Sequence, residues 1–306
     1  MEALLLILTD IIGPVFVLIG LGFIVQTKFK LDLTTLARLN IYLLAPGFIF
    51  NALYTTRIEG QVFGFVIGFF LLFVTLMYFV SKAFAKLLKM NKDKEAIFTN
   101  SGMFFNSGNY GVPVNDLVFQ GDPFAMSIQV MNLTFQNIFL FSYGIFALNK
   151  DDGKLKALLG YFRMPVPYAL FFGILLNVLQ VDLPDMILVP SEYIAGAMVA
   201  FALITLGAQV AVIEFKSGLL DVYMSLFLRL ILGPLVAYGL IMLLSIEGTM
   251  AQALFIGAAM PTSVNSAIIA QEYSRYKDYA SQIVLFSTIF SAITVSSVIY
   301  LSRLLF

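Results

Sequence analysis

The chain has 306 residues, 60% of them hydrophobic and 12% charged, with a formal net charge of zero. A soluble domain carries roughly 25% charged residues, so the composition excludes a soluble enzyme core, and the balanced charge offers no field for nucleic acid. The lack of any Cys removes thiol catalysis, disulfides and thiolate metal sites, and the lack of any His removes the commonest proton shuttle and metal ligand.

The apolar runs reach the ~20 residues that a membrane-spanning helix needs. They are continuous and do not alternate with period two, which favours helices over a β-barrel. Ten spans are expected, at residues 4–26, 33–54, 61–86, 95–118, 123–148, 158–180, 190–213, 218–244, 249–272 and 279–304. The fold class is therefore an all-α integral membrane protein. The first span lacks a basic leading region and a small-residue cleavage site, so it reads as a retained helix. Tyr54 closes span two and is a candidate site residue, although an interfacial aromatic explains it as well. Gly64 and Gly68 in span three suit helix packing.

Span four is interrupted by Asn106-Ser107-Gly108-Asn109-Tyr110-Gly111-Val112-Pro113, followed by Asn115 and Asp116. Span five carries Gln129, Asn132, Thr134, Gln136 and Asn137. Gln129, Asn132 and Gln136 share one helical face. That face either lines a site or makes interhelical hydrogen bonds worth about 0.6 kcal/mol each. Span seven contributes Gln209, and span eight holds Arg229 within apolar sequence, where it either neutralises a buried carboxylate or anchors the fold. Span nine is interrupted by Ala259-Met260-Pro261-Thr262-Ser263-Val264-Asn265 and ends at Glu272, which can pair with Arg275. Asp10 and Glu214 lie near span ends, where water can reach them.

Alternate connections divide the basic residues thirteen to two, with only Arg57 and Arg303 on the poorer side, and Arg38, Arg163 and Arg229 within or at the edge of spans. Basic connections face the cytoplasm, so both termini are expected outside a cell membrane. The halves also repeat. Pro14 and Gly20 recur as Pro167 and Gly173, Ser127 as Ser281, Asn115 as Asn265, and Pro113 as Pro261, all at offsets of 148 to 154. Residues 1–153 and 154–306 thus read as two five-span repeats, and an odd span number inverts the second relative to the first.

Inverted repeats bring the two breaks together as a crossover. Pro113 and Pro261 remove backbone donors, while Gly108 and Gly111 permit unusual backbone. Backbone of this kind is tolerated at membrane depth only against protein or a water-filled cavity. Each second half-helix presents about half a positive charge and free N–H groups at its start, which suits an anion. Asn106, Ser107, Asn109, Asn115, Thr262, Ser263 and Asn265 add neutral donors and acceptors, so a carboxylate can be held without Lys or Arg.

The span-four stretch resembles the N-[ST]-G-x-x-G-x-P-[LV] sequence of the auxin efflux carrier family, which includes plant auxin exporters and bacterial malate permease-like proteins. Ala259-x-Pro261 with Ala270-Gln271-Glu272-Tyr273, Pro46 with Phe50, and Arg229 with Pro234 are similar to further family positions. The long cytoplasmic loop of many plant members is missing. The resemblance implies an elevator-type carrier. Its scaffold would be spans 1, 2, 6 and 7 (4–54 and 158–213), and its transport domain spans 3–5 and 8–10 (61–148 and 218–304). It also implies a dimer through the scaffold. The expected substrate is a small organic anion, malate or another dicarboxylate first and an auxin-like acid second. No cofactor is expected, and coupling to H⁺ or Na⁺ is open. A cation/proton antiporter on a similar fold is the alternative, but it lacks a buried carboxylate pair. An intramembrane hydrolase lacks His, Cys and paired mid-span Asp residues.

Overall fold

The computed structural model describes residues 2–56, 60–148, 164–213 and 220–306. Arg57, Lys150, Lys154, Lys156, Arg163, Glu214 and Lys216 lie outside them, and residues 271–273 are described in backbone only. The helices are α1 Leu4–Phe29, α2 Leu33–Thr55, α3 Gly60–Leu87, α4 Lys92–Met103, α5 Val112–Phe119 and α6 Pro123–Leu148. They continue as α7 Val166–Val178, α8 Asp185–Ala211, α9 Leu220–Leu243, α10 Gly248–Ala258, α11 Val264–Tyr273 and α12 Lys277–Leu305.

Among the described residues, seven helices are long and apolar enough to cross a membrane: α1, α2, α3, α6, α8, α9 and α12. The ten-span expectation differs from this at spans four and nine. Span four is split into α4 and α5, and span nine into α10 and α11. Span six is described from residue 164 on, as α7 Val166–Val178, and its first residues lie outside the described ones. The splits fall at the polar Gly/Pro stretches, where prolines cannot donate to the helical ladder.

Proline also shapes the continuous helices. Wider π-type turns at Leu8–Ile12, Asn40–Leu44, Ser107–Gly111 and Leu228–Leu232 each precede a proline by one residue: Pro14, Pro46, Pro113 and Pro234. A proline ring collides with the carbonyl one turn back, and a wider turn moves that carbonyl away. Helix starts follow their sequence signals as well. Asp32, Asn91 and Asp122 accept hydrogen bonds from the first-turn amides of α2, α4 and α6.

One group of helices packs around glycines. A Cβ on Gly22 of α1 would overlap the carbonyl of Ile204 in α8, and one on Gly207 would overlap the carbonyl of Ile19. The two helices therefore touch backbone to backbone, as small residues allow in lipid. Helix α2 joins them through Gly47 against Ile194 of α8, and α7 joins through Gly173 against Phe50 of α2.

The remaining helices are tied at their basic ends. Lys82 of α3 pairs with Glu95 of α4, Lys94 of α4 pairs with Asp221 of α9, and Arg275 lies 3.3 Å from Asp93. Asn91 donates to the Tyr276 hydroxyl at 2.7 Å, beside the start of α12. These contacts gather three of the Lys-rich or Arg-containing connections onto one face.

Candidate functional site

The two helix breaks meet. The amide of Asn106 donates to the Pro261 carbonyl at 2.7 Å, and the amide of Ser263 donates to the Phe104 carbonyl at 3.0 Å. Phe105 and Thr262 form an isolated antiparallel bridge, so the two segments run in opposite directions where they cross. Each break thereby satisfies backbone groups that its own helix has released.

Side chains from α6 satisfy more of them. Gln136 accepts from the Phe105 amide at 3.1 Å, and its Nε2 donates back to the Phe105 carbonyl. Gln129 Nε2 donates to Ser107 O at 2.7 Å and Ser107 Oγ at 3.0 Å. A Cβ on Gly111 would overlap Gln129 Nε2, so the glycine leaves room for that amide. On the second break, Ser287 Oγ accepts from the Thr262 amide at 3.1 Å, and the Thr262 hydroxyl donates to Ser101 O at 3.3 Å. On the polar face of α6, Gln129 serves as a partner for broken backbone, while Gln136 does so and also lines the cavity in front of the crossover.

Arg229 lies at 0% exposure behind the crossover. Its Nη1 donates to Gly102 O in the last turn of α4 at 2.9 Å, and its Nη2 donates to Ala258 O at the end of α10. The guanidinium sits over the Phe73 and Phe105 rings at 5.5 and 5.4 Å. A Cβ on Gly233 would lie 2.7 Å from Nη2, so the glycine leaves room for it. Arg229 therefore binds carbonyls where the sequence suggested a carboxylate or an anchoring role.

In front of the crossover lies a narrow cavity with about 50 Å³ of water-sized space. Asn106, Ser107, Gly108, Asn109, Gln136, Ser263 and Asn265, all candidates from the sequence, line it. The opposite wall comes from α2, α7 and α8, including Asn40, Val166 and Met198. Asn40 Nδ2 donates to Asn109 Oδ1 at 2.8 Å and so links the two walls across this cavity. Asn106 Nδ2 and Asn40 Oδ1 are buried without a partner among the described residues.

The other sequence candidates sit elsewhere. Gly111, Pro113, Asn115, Pro261, Thr262 and Asn132 lie behind the crossover or within its walls, away from the lining. Tyr54 is not at the cavity. Its hydroxyl donates to Val181 O at 2.9 Å and accepts from the Leu183 amide at 3.0 Å, so it fastens the α7–α8 connection. Gln209 lines a separate cavity of about 270 Å³ near Leu33 and Ser281, towards the Lys28–Asp32 connection. A third cavity of about 470 Å³ opens at the other end, beside Thr56, Asp116 and Pro123. Asn40 and Asn137 are lining residues that site reasoning from sequence missed. The available signal for Asn40 was an amide six residues before Pro46 in an apolar span.

The chain is similar in sequence to known transport proteins. A family model described as "Membrane transport protein" matches residues 6–299. An "Uncharacterized transporter" of Methanothermobacter thermautotrophicus is 25% identical over 300 residues, covering 94% of this chain and 95% of the relative. A "Putative malonate transporter" of Rhizobium meliloti is 25% identical over 314 residues, covering 97% of this chain and 96% of the relative.

Proposed function

Because the chain belongs to the membrane transport protein family, the auxin efflux carrier family that its sequence resembles, we propose that this multi-pass transporter moves a small organic dianion or monoanion through the cavity at the crossover. The carrying observation is an unbonded side-chain donor, Asn106 Nδ2, beside the starts of two half-helices. Among the described residues the side-chain NH₂ of Asn106 has no partner, Gly108 and Asn109 lie in the Ser107–Gly111 turn that leads into α5, and Asn265 lies in the first turn of α11. First-turn amides have no partner inside their helix. Two half-helix starts with about half a positive charge each supply the attraction. A malonate-type dicarboxylate is the first substrate class, in keeping with the name of one relative.

An elevator mechanism suits the arrangement. Helices α1, α2, α7 and α8 pack together through glycines, whereas α3, α4, α9 and α12 are linked at their basic ends. The three cavities lie in sequence along the surface between these groups. Sliding one group past the other would open the middle cavity alternately to either end. The basic face is cytoplasmic, ten crossings place both termini outside, and the breaks belong to inverted repeats.

Uptake of malonate, malate, succinate and indole-3-acetate into proteoliposomes tests this. Asn106→Ala and Asn265→Ala should lower the affinity for the transported acid by roughly 10- to 100-fold, the worth of hydrogen bonds to a charged group. Unchanged uptake of every acid in both variants would overturn the crossover site. The antiporter alternative gains nothing from the lining, which has no carboxylate among the described residues.

A further inference from the structure

We infer that Arg229 is a resident counter-cation that joins the C-terminal ends of α4 and α10, so that anion binding at the crossover requires no bound Na⁺ or K⁺. It rests on the anion site proposed above. Each helix C-terminus carries about half a negative charge, so two that converge behind a crossover make a place for a cation. The guanidinium fills that place. It bonds Gly102 O and Ala258 O, sits over the rings of Phe73 and Phe105, and is fully buried. No acidic side chain among the described residues bonds to it, and its Nε has no partner. A buried charge without a carboxylate is otherwise costly, and here the two carbonyl ends provide its compensation.

The charges then separate into two layers. Behind the crossover, one guanidinium offsets two negative helix ends. In front, the two positive starts of α5 and α11 are left to act on the cavity alone. Arg229 is a positioning residue in this scheme, since it reaches an anion only through the helix ends that it holds.

Full-length protein in detergent and in proteoliposomes provides the test, with radiolabelled malate as probe. Wild-type affinity should change by less than about twofold when Na⁺ is replaced by K⁺ or choline. Arg229→Met should weaken malate binding by roughly 10- to 100-fold, and millimolar guanidinium should recover part of the loss. Arg229→Lys should fall between the two and stay Na⁺-independent. Hydrogen exchange should rise together at residues 104–111 and 259–266 in Arg229→Met, whether or not substrate binds. Na⁺-dependent binding by the wild type, an Arg229→Met variant that folds and ignores guanidinium, a Lys variant as weak as Met, or faster exchange at one break alone would each overturn the inference. If the wild type binds no malate, the substrate proposal fails while the exchange experiment still decides the clamp. If it binds only with Na⁺, the substrate proposal stands and this inference falls.

Discussion

Gln136 commits both ends of its amide to Phe105, and Gln129 commits its NH₂ to Ser107. At membrane depth these bonds replace the ladder that Pro113 and the glycines interrupt. Gln136→Leu should therefore leave the buried Phe105 amide and carbonyl unpaired and cost about 1–3 kcal/mol of stability, read as a lowered thermal midpoint in detergent. Asn106→Ala differs in kind, because the Asn106 side-chain NH₂ has no partner among the described residues to lose. It should spare the thermal midpoint while weakening substrate binding. An Asn106→Ala midpoint that falls as far as that of Gln136→Leu would mean that Asn106 buttresses the break too.

Among the elements, α1 and α8 depend on glycine at their crossing. A Gly207→Val side chain would meet the Ile19 carbonyl, which cannot move without shifting α1. A loss of about 1–3 kcal/mol is expected, measured by denaturation in detergent, and Gly196→Ala on the same helix, where no atom lies within 4 Å of the added Cβ, should have little effect. The start of α2 adds a pH-dependent part. The Thr35 side chain, followed by the Thr34 amide, holds the exposed Asp32 carboxyl below its ordinary range. A carboxylate lowered in this way stabilises α2 above its unfolded pKa and loses that contribution as the pH falls through the folded value. Asp32→Ala should lower the thermal midpoint at pH 7 and leave it unchanged at the acid end, below the folded pKa.

At the scale of the whole molecule, the cysteine-free chain permits a direct test of relative motion. Asn40 and Asn109 face each other across the proposed sliding surface, 2.8 Å apart at their amides. Ser101 and Ser225 face each other within one group, with hydroxyls 3.1 Å apart. Oxidising an Asn40→Cys/Asn109→Cys pair should abolish uptake until a reductant is added. Oxidising Ser101→Cys/Ser225→Cys should leave uptake largely intact. Equal inhibition by both cross-links would contradict rigid-body sliding.

Much of this was legible in the chain itself. Long apolar runs fixed a membrane protein, because lipid accepts few charges and requires internally bonded backbone. Gly, Pro and polar residues at Asn106–Pro113 and Pro261–Asn265 marked the breaks, because proline and glycine act locally. The same stretches carried the family resemblance. Only the tertiary structure decided what each polar side chain does. Asn40 meets Asn109 from 69 residues away, and Arg229 meets Gly102 from 127. Sequence periodicity reports which face a residue occupies, but not what stands opposite. A broken helix offers several unpaired groups, and packing alone selects which amide buttresses them and which is left free for an anion.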